Sequence, residues 1–126
     1  MVVLDTAVLI WWTLDDTKLS PAATRAISKA THLVVSSISI WEIGLASTRG
    51  RLDLPASLTD YVEGLERVDM LNIRAVDTAT WLENLQLDWD HRDPADRTIV
   101  ALARIQRAPL ITSDARIREF HPETIW

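Results

Sequence analysis

The sequence predicts an α/β fold in which a parallel sheet of about five strands is layered between helices. Two observations predict it. Short β-branched runs alternate with longer helix-patterned stretches, the order that builds a parallel sheet through crossover helices. Carboxylates also stand where apolar runs stop: Asp5 after Val2-Val3-Leu4, Glu42 after Ile38-Ser39-Ile40-Trp41, Asp96 before Ile99-Val100, and Asp114 after Leu110-Ile111. In open parallel sheets, ligands bind beyond the carboxyl ends of the strands, near the point where strand order reverses. Residues 1–126 show no linker, repeat or low-complexity segment, and they are expected to form one domain.

Val2–Leu4 reads as the first strand, entering a helix near Thr6. Pro21 follows Ser20, a natural N-cap, and opens a helix to about Ala30. Leu33–Ser36 reads as the second strand and Ile38–Ser47 as the next helix, ended at Arg49-Gly50-Arg51. Pro55 is expected to open a helix to about Val68, followed by a strand at Ile73–Val76 and a helix from Thr78. Asp93-Pro94 opens a longer helix through Arg107. Leu110–Thr112 is the next strand, Ala115–Phe120 a short helix, and Thr124–Trp126 a brief edge strand.

Composition narrows the chemistry. With no cysteine, disulfides, thiolate metal sites and a cysteine nucleophile are excluded. The longest apolar run, Ala7–Trp12, is far short of the roughly 20 residues of a membrane-spanning helix. No basic residue precedes the first apolar stretch as a signal peptide requires, so a cytoplasmic protein without membrane contact is expected. The three glycines, at 44, 50 and 64, form no phosphate-cradling loop. A net charge of −5 argues against tight nonspecific nucleic-acid binding. It leaves a nucleic-acid substrate open if cations offset the acids. Of the 13 basic residues 11 are arginine, which suits bidentate phosphate contacts and equally a GC-rich genome.

Each acid has a structural reading beside its functional one. Asp5, Asp93 and Asp114 are placed to cap helices, and Ser39-Ile40-Trp41-Glu42 matches a capping box. Helical spacing weighs against this for two of them. Glu42 shares a face with Ile38, Leu45 and Ala46, and Asp96 with Ile99, Val100 and Ala103. A carboxylate on a core-facing stripe must be paired or bind a cation. No Lys or Arg shares either stripe at the same depth. Arg97 lies roughly 100° around the helix from Asp96 and is better placed to pair with Asp93. Carboxylates converging without a lysine form a hard-cation site, and a bound divalent cation points to phosphate chemistry.

Several strings carry a family resemblance. Asp5-Thr6 after the first strand, Ser37-Ile38-Ser39-Ile40-Trp41-Glu42-Ile43, His91-Arg92-Asp93-Pro94-Ala95-Asp96-Arg97 and Leu110-Ile111-Thr112-Ser113-Asp114 resemble the PIN domain. Their order and spacing resemble most the VapC toxin ribonucleases of toxin–antitoxin modules, over essentially the whole chain. The resemblance implies a three-layer α/β/α fold around a five-stranded parallel sheet. It also implies a metal-dependent endoribonuclease, commonly a homodimer, neutralised by a cognate antitoxin. Asp5, Glu42, Asp96 and Asp114 match the acids that hold Mg²⁺ or Mn²⁺, while Asp93 matches a further acid that is either ligand or support. Thr6, Thr112 and Ser113 match polar residues that line such sites.

For RNA contact, Arg92, Arg97, Arg116 and Arg118 flank the acidic segments, with ordinary surface ion pairing as their alternative. His91 is expected to act as a cap or phosphate contact, with no partner identifiable. Trp11 and Trp12 are adjacent, so they face different surroundings, and either fits an antitoxin contact, a dimer contact or plain core. Two other functions compete. An aspartate-nucleophile phosphatase needs a second Asp where Ala7 stands. A degenerate PIN domain, binding RNA or protein without catalysis, is opposed by the presence of all four acids.

Overall fold

A computed structural model describes residues 1–126. Five parallel strands, β1 (Val2–Leu4), β2 (Leu33–Ser36), β3 (Leu71–Arg74), β4 (Leu110–Ile111) and β5 (Thr124–Ile125), lie in the order β3-β2-β1-β4-β5. The helices are α1 (Thr6–Leu14), α2 (Pro21–Lys29), α3 (Ser37–Thr48), α4 (Leu58–Glu66), α5 (Thr78–Gln86), α6 (Pro94–Gln106) and α7 (Ala115–Phe120). Strand order runs outward in both directions from β1, so the switch point lies between β1 and β4. None of these helices is long and apolar enough to cross a membrane.

The strand residues explain the layering. Side chains alternate across a sheet, and both faces here are apolar, as buried parallel sheets require. Val2, Leu4, Leu33, Val35 and Ile111 join Val8, Leu9, Ile27, Ile43 and Leu65 in one buried cluster under α1 to α4. Val3, Val34 and Leu110 face the other way, into a cluster with Ile99, Val100 and Ile117 of α6 and α7. Truncating a fully buried member such as Ile99 to Ala is expected to destabilise by about 2–5 kcal/mol.

Element boundaries depart from expectation in two places, each for a local reason. Helix α4 starts at Leu58, not Pro55, because the Ser57 hydroxyl accepts from the Asp60 amide at 3.1 Å and so sets the N-cap. Strand β3 spans Leu71–Arg74, not Ile73–Val76. Its register is set by β2, with Leu33 opposite Leu71 and Ser36 opposite Arg74. The Val76 amide is diverted to the Ser37 hydroxyl at 3.2 Å. As an edge strand with only Leu71 buried, β3 announces little through its own hydrophobicity. A short 3₁₀ turn at Asp16–Lys18 was also not anticipated.

Trp11 and Trp12 do meet different surroundings. Trp12 packs on the cluster beneath α1, while the Trp11 ring lies 5.6 Å from that of Trp126. The joint between α5 and α6 is polar but satisfied: buried Thr98 accepts from the Asn84 side-chain amide at 3.0 Å and donates to the Pro94 carbonyl.

Candidate active site

Asp5 is the first residue past β1, and its amide still donates to the Ile111 carbonyl of β4 at 3.1 Å. It caps α1 with one carboxylate oxygen, which accepts from the Thr6 amide at 2.8 Å. Its other oxygen accepts from the Thr112 hydroxyl at 2.7 Å, across the switch point. The same Thr112 oxygen accepts from the Asp114 amide at 3.0 Å, so one hydroxyl ties the two acids together. Asp114 caps α7, accepting from the Ile117 amide at 3.0 Å. Thus the capping reading is correct for Asp5, Asp93 and Asp114, but a cap occupies one carboxylate oxygen and leaves the other for a second contact, which in Asp5 is the Thr112 hydroxyl.

Glu42 is not part of a capping box. The N-cap of α3 is Ser36, whose hydroxyl accepts from the Ile38 amide at 3.1 Å. Glu42 instead accepts a hydrogen bond from the Thr6 hydroxyl. Thr6 has one hydroxyl proton, so while it is given to an ionised Glu42, the fully buried Ser39 must donate to Thr6, 2.8 Å away. This chain from Ser39 through Thr6 fixes α1 to α3 and aims Glu42.

The third segment centres on α6. Asp93 caps it with one oxygen, which accepts from the amides of Ala95 at 2.9 Å and Asp96 at 3.2 Å. His91 has a partner after all: its Nε2 lies 2.7 Å from the Asp96 carboxylate, and its ring packs against Trp89 with centroids 4.8 Å apart. His91, Asp93 and Asp96 each offer a ligand atom within 4.8 Å of the others, a grouping able to hold a metal ion. Glu42 and Asp96 are half-buried, so the core-facing stripe places them at its edge and not within it.

The electrostatics tie the segments into one site. Burial pushes the Asp5 carboxyl up to about 6, opposed by the Thr112 hydrogen bond and reinforced by the charges of Asp96 and Asp114. Burial pushes Glu42 up to about 7, against the Thr6 hydrogen bond and with Asp5, Asp96 and Asp93 adding to the rise. Asp96 is likewise raised, by burial first, with His91 pulling it down and Asp93 and Asp114 pushing it up. Asp5, Glu42 and Asp96 therefore feel neighbouring acids, and neither they nor Asp93 and Asp114 have a Lys or Arg ion pair. Oxygen donors crowded to this degree, with one imidazole alongside, suit a hard divalent cation that would relieve their repulsion.

The remaining expected residues divide. Ser113 is half-buried and its hydroxyl makes no hydrogen bond to the acids. Arg97 does not pair through its side chain with Asp93, nor is it free for RNA. Its guanidinium donates to the carbonyls of Trp89 at 2.6 Å, His91 at 3.1 Å, Asn84 at 2.7 Å and Leu87 at 3.1 Å. Those four bonds hold the loop that carries His91, which makes Arg97 a structural clamp. Arg116 makes an exposed pair with Asp90 at 3.7 Å, whereas Arg92 and Arg118 are exposed without an ion pair. Sequence reasoning missed the contacts of His91 and Ser39. Neither lies on a periodic stripe that would have signalled its partner: His91 sits in a loop, and Ser39 meets a residue 33 positions earlier.

Comparison with known proteins agrees with this architecture. The PIN domain family model matches residues 2–121. The chain is 33% identical to Ribonuclease VapC22 of Mycobacterium tuberculosis, covering 99% of this chain and 98% of that protein. Two solved structures share the fold at low identity. One is a toxin–antitoxin complex from Klebsiella pneumoniae, with a TM-score of 0.69, 18% identity, and coverage of 100% of this chain and 97% of that one. The other, VapBC2 from Rickettsia felis bound to a promoter DNA fragment, has a TM-score of 0.69 and 13% identity, with both chains covered fully at 100%. A carboxylate constellation at the switch point of a β3-β2-β1-β4-β5 sheet thus coincides with likeness along the whole chain, and the protein belongs to the PIN domain family and, within it, to the VapC type.

Proposed function

We propose that this chain is a metal-dependent endoribonuclease, the toxin of a toxin–antitoxin pair, with Mg²⁺ or Mn²⁺ held by Asp5, Glu42, Asp96 and Asp114. The observation that carries the reading is the convergence of acids from four separated segments on one end of the sheet with no cationic side chain among them. Whole-length similarity to a VapC ribonuclease supports RNA as the substrate.

When bound, the cation supplies Lewis acidity at the scissile phosphate and an activated water as nucleophile. The chain's own residues hold and orient. Thr6 and Thr112 turn Glu42 and Asp5 toward the common site, and His91 fixes one oxygen of Asp96. Such outer contacts set ligand direction and basicity. Asp93 supports through its cap and keeps one carboxylate oxygen for the site. No side chain is needed as nucleophile.

The antitoxin is the partner that the toxin–antitoxin structural relatives suggest. Trp81, Leu82 and Leu85 of α5 and Ile105 of α6 form exposed apolar surface available to it or to a second copy of the chain. The decisive experiment compares wild type with Asp5→Asn and Asp96→Asn on RNA in Mg²⁺ or Mn²⁺. Each variant should stay folded by circular dichroism and lose activity on the order of 10²–10³-fold, as removal of one transition-state stabilising group does. Wild-type cleavage rates in both variants would falsify the assignment.

A further inference from the structure

Beside the acids lies a groove of about 390 Å³ lined by Trp41, Glu42, Leu45, Arg49, Arg51 and Asp93, among others. Glu42 and Asp93 are its acidic end, whereas Trp41, Arg49 and Arg51 serve neither the core nor the acid cluster. Trp41 is 56% exposed, a large aromatic face left in water one residue before Glu42. Arg49 and Arg51 are exposed and make no ion pair.

Local structure brings these parts together. Glu42, Leu45 and Arg49 fall on one face of α3 at helical spacing. The helix rise sets Arg49 roughly 10 Å beyond Glu42. At Gly50 (φ 71°) the chain turns left-handed, with the Gly50 amide bonded to the Ser47 carbonyl and the Arg51 amide to that of Ala46. This is a Schellman stop, and the positive φ is why glycine stands there. It folds Arg51 back against α3, so that arginines on both sides of the stop line the same groove.

An acidic end suited to a cation-bridged phosphate, an exposed indole and two free guanidiniums match one ligand class. Single-stranded nucleic acid is held by aromatic platforms under its bases and cations along its backbone. A stacked strand rises about 3.4 Å per nucleotide, so roughly three nucleotides span the length from Glu42 to Arg49. The geometry points to a substrate subsite in which a base next to the scissile phosphate stacks on Trp41 while Arg49 and Arg51 hold flanking phosphates of single-stranded RNA. This rests on the ribonuclease reading above and adds positioning residues to it.

The test is steady-state cleavage of a short fluorescein-labelled single-stranded RNA in Mg²⁺ by wild type, Trp41→Ala, Trp41→Phe and the Arg49→Gln/Arg51→Gln double variant. Trp41→Ala should raise KM about tenfold, the scale of one lost base stack, with the effect carried by KM more than kcat. Trp41→Phe should restore most of it. The double variant should flatten the dependence of log(kcat/KM) on log salt by about 1.4, two contacts at about 0.7 each. Wild-type KM and salt slope in every variant would overturn the subsite and leave the ribonuclease reading standing. So would unchanged RNA kinetics with an altered oligomeric mass by light scattering, which would give the groove to a second copy. Wild type that cuts no RNA in Mg²⁺ or Mn²⁺ overturns both.

Discussion

His91 and Asp96 form the contact that sets the direction of one proposed metal ligand. The 2.7 Å bond fixes one carboxylate oxygen, and packing against Trp89 fixes the imidazole. Removing such an outer partner typically weakens metal affinity 10–100-fold. His91→Ala should therefore shift the Mg²⁺ concentration for half-maximal RNA cleavage upward by about that factor, with activity recovered at high Mg²⁺. A metal titration at fixed RNA measures it, and an unshifted midpoint would remove His91 from the site. At this scale the sequence points to acids that the fold brings near one another and is silent about who holds them. Asp5 and Asp114 stand out because each follows a strand, and Glu42 and Asp96 because each shares a helical face with core residues. Thr112 bonds to Asp5 at a separation of 107 residues, a distance no local pattern carries. For Glu42, the nearby Ser39 suggested a cap, whereas the real partner, Thr6, lies on another helix.

At the scale of elements, the loop between α5 and α6 is the least regular part of the site and depends most on a single side chain. It has no strand or helix of its own between Leu87 and Asp93, and Arg97 reaches from α6 to bind four of the surrounding carbonyls. Hydrogen bonds to a charged group contribute about 1.5–3 kcal/mol each, less where water replaces the lost partner. Arg97→Met, which keeps the aliphatic stem, should lower global stability by about 2–4 kcal/mol in denaturant melts. It should also accelerate amide exchange in residues 88–93. Loss of RNA affinity with unchanged stability would instead restore Arg97 as a substrate contact. The contrast with β1 and β2 shows what is readable in advance. Val2–Leu4 and Leu33–Ser36 are buried on both faces and say so in the unbroken apolar runs Val2-Val3-Leu4 and Leu33-Val34-Val35. The edge strand β3 takes its register from its neighbour, and α4 takes its start from a serine hydroxyl. Pairing and capping decide those boundaries, and composition alone does not display them.

Across the whole molecule the acids create a dependence on pH whose direction is fixed. Folding raises Asp5 from 3.8 to about 6 and Glu42 from 4.5 to about 7, so the folded state prefers their protonated forms. The resulting stabilisation is full below about pH 4 and is lost as pH rises through 6 and 7. For Asp5, which is 7% exposed, the rise from 3.8 to about 6 corresponds to about 3 kcal/mol. The metal-free protein should thus melt several degrees lower at pH 8 than at pH 5, and saturating Mg²⁺ should abolish most of the difference. Asp5→Asn should flatten the metal-free profile. A wild-type midpoint that rises over this range, measured by differential scanning fluorimetry in EDTA, would contradict the crowding of these acids.

The bond from Thr112 to Asp5 also orders events in time. Residue 5 leaves the ribosome well before residues 110–114, and chains begin to fold from the N-terminal end as they emerge. Until β4 docks on β1, Asp5 has no Thr112 beside it and Asp114 is not yet part of any cluster. A nascent or truncated chain therefore holds an incomplete set of these acids. Under the proposed reading, the chain becomes able to cut RNA only after residues 110–114 have emerged and β4 has docked on β1, which leaves an interval for a partner to meet it first.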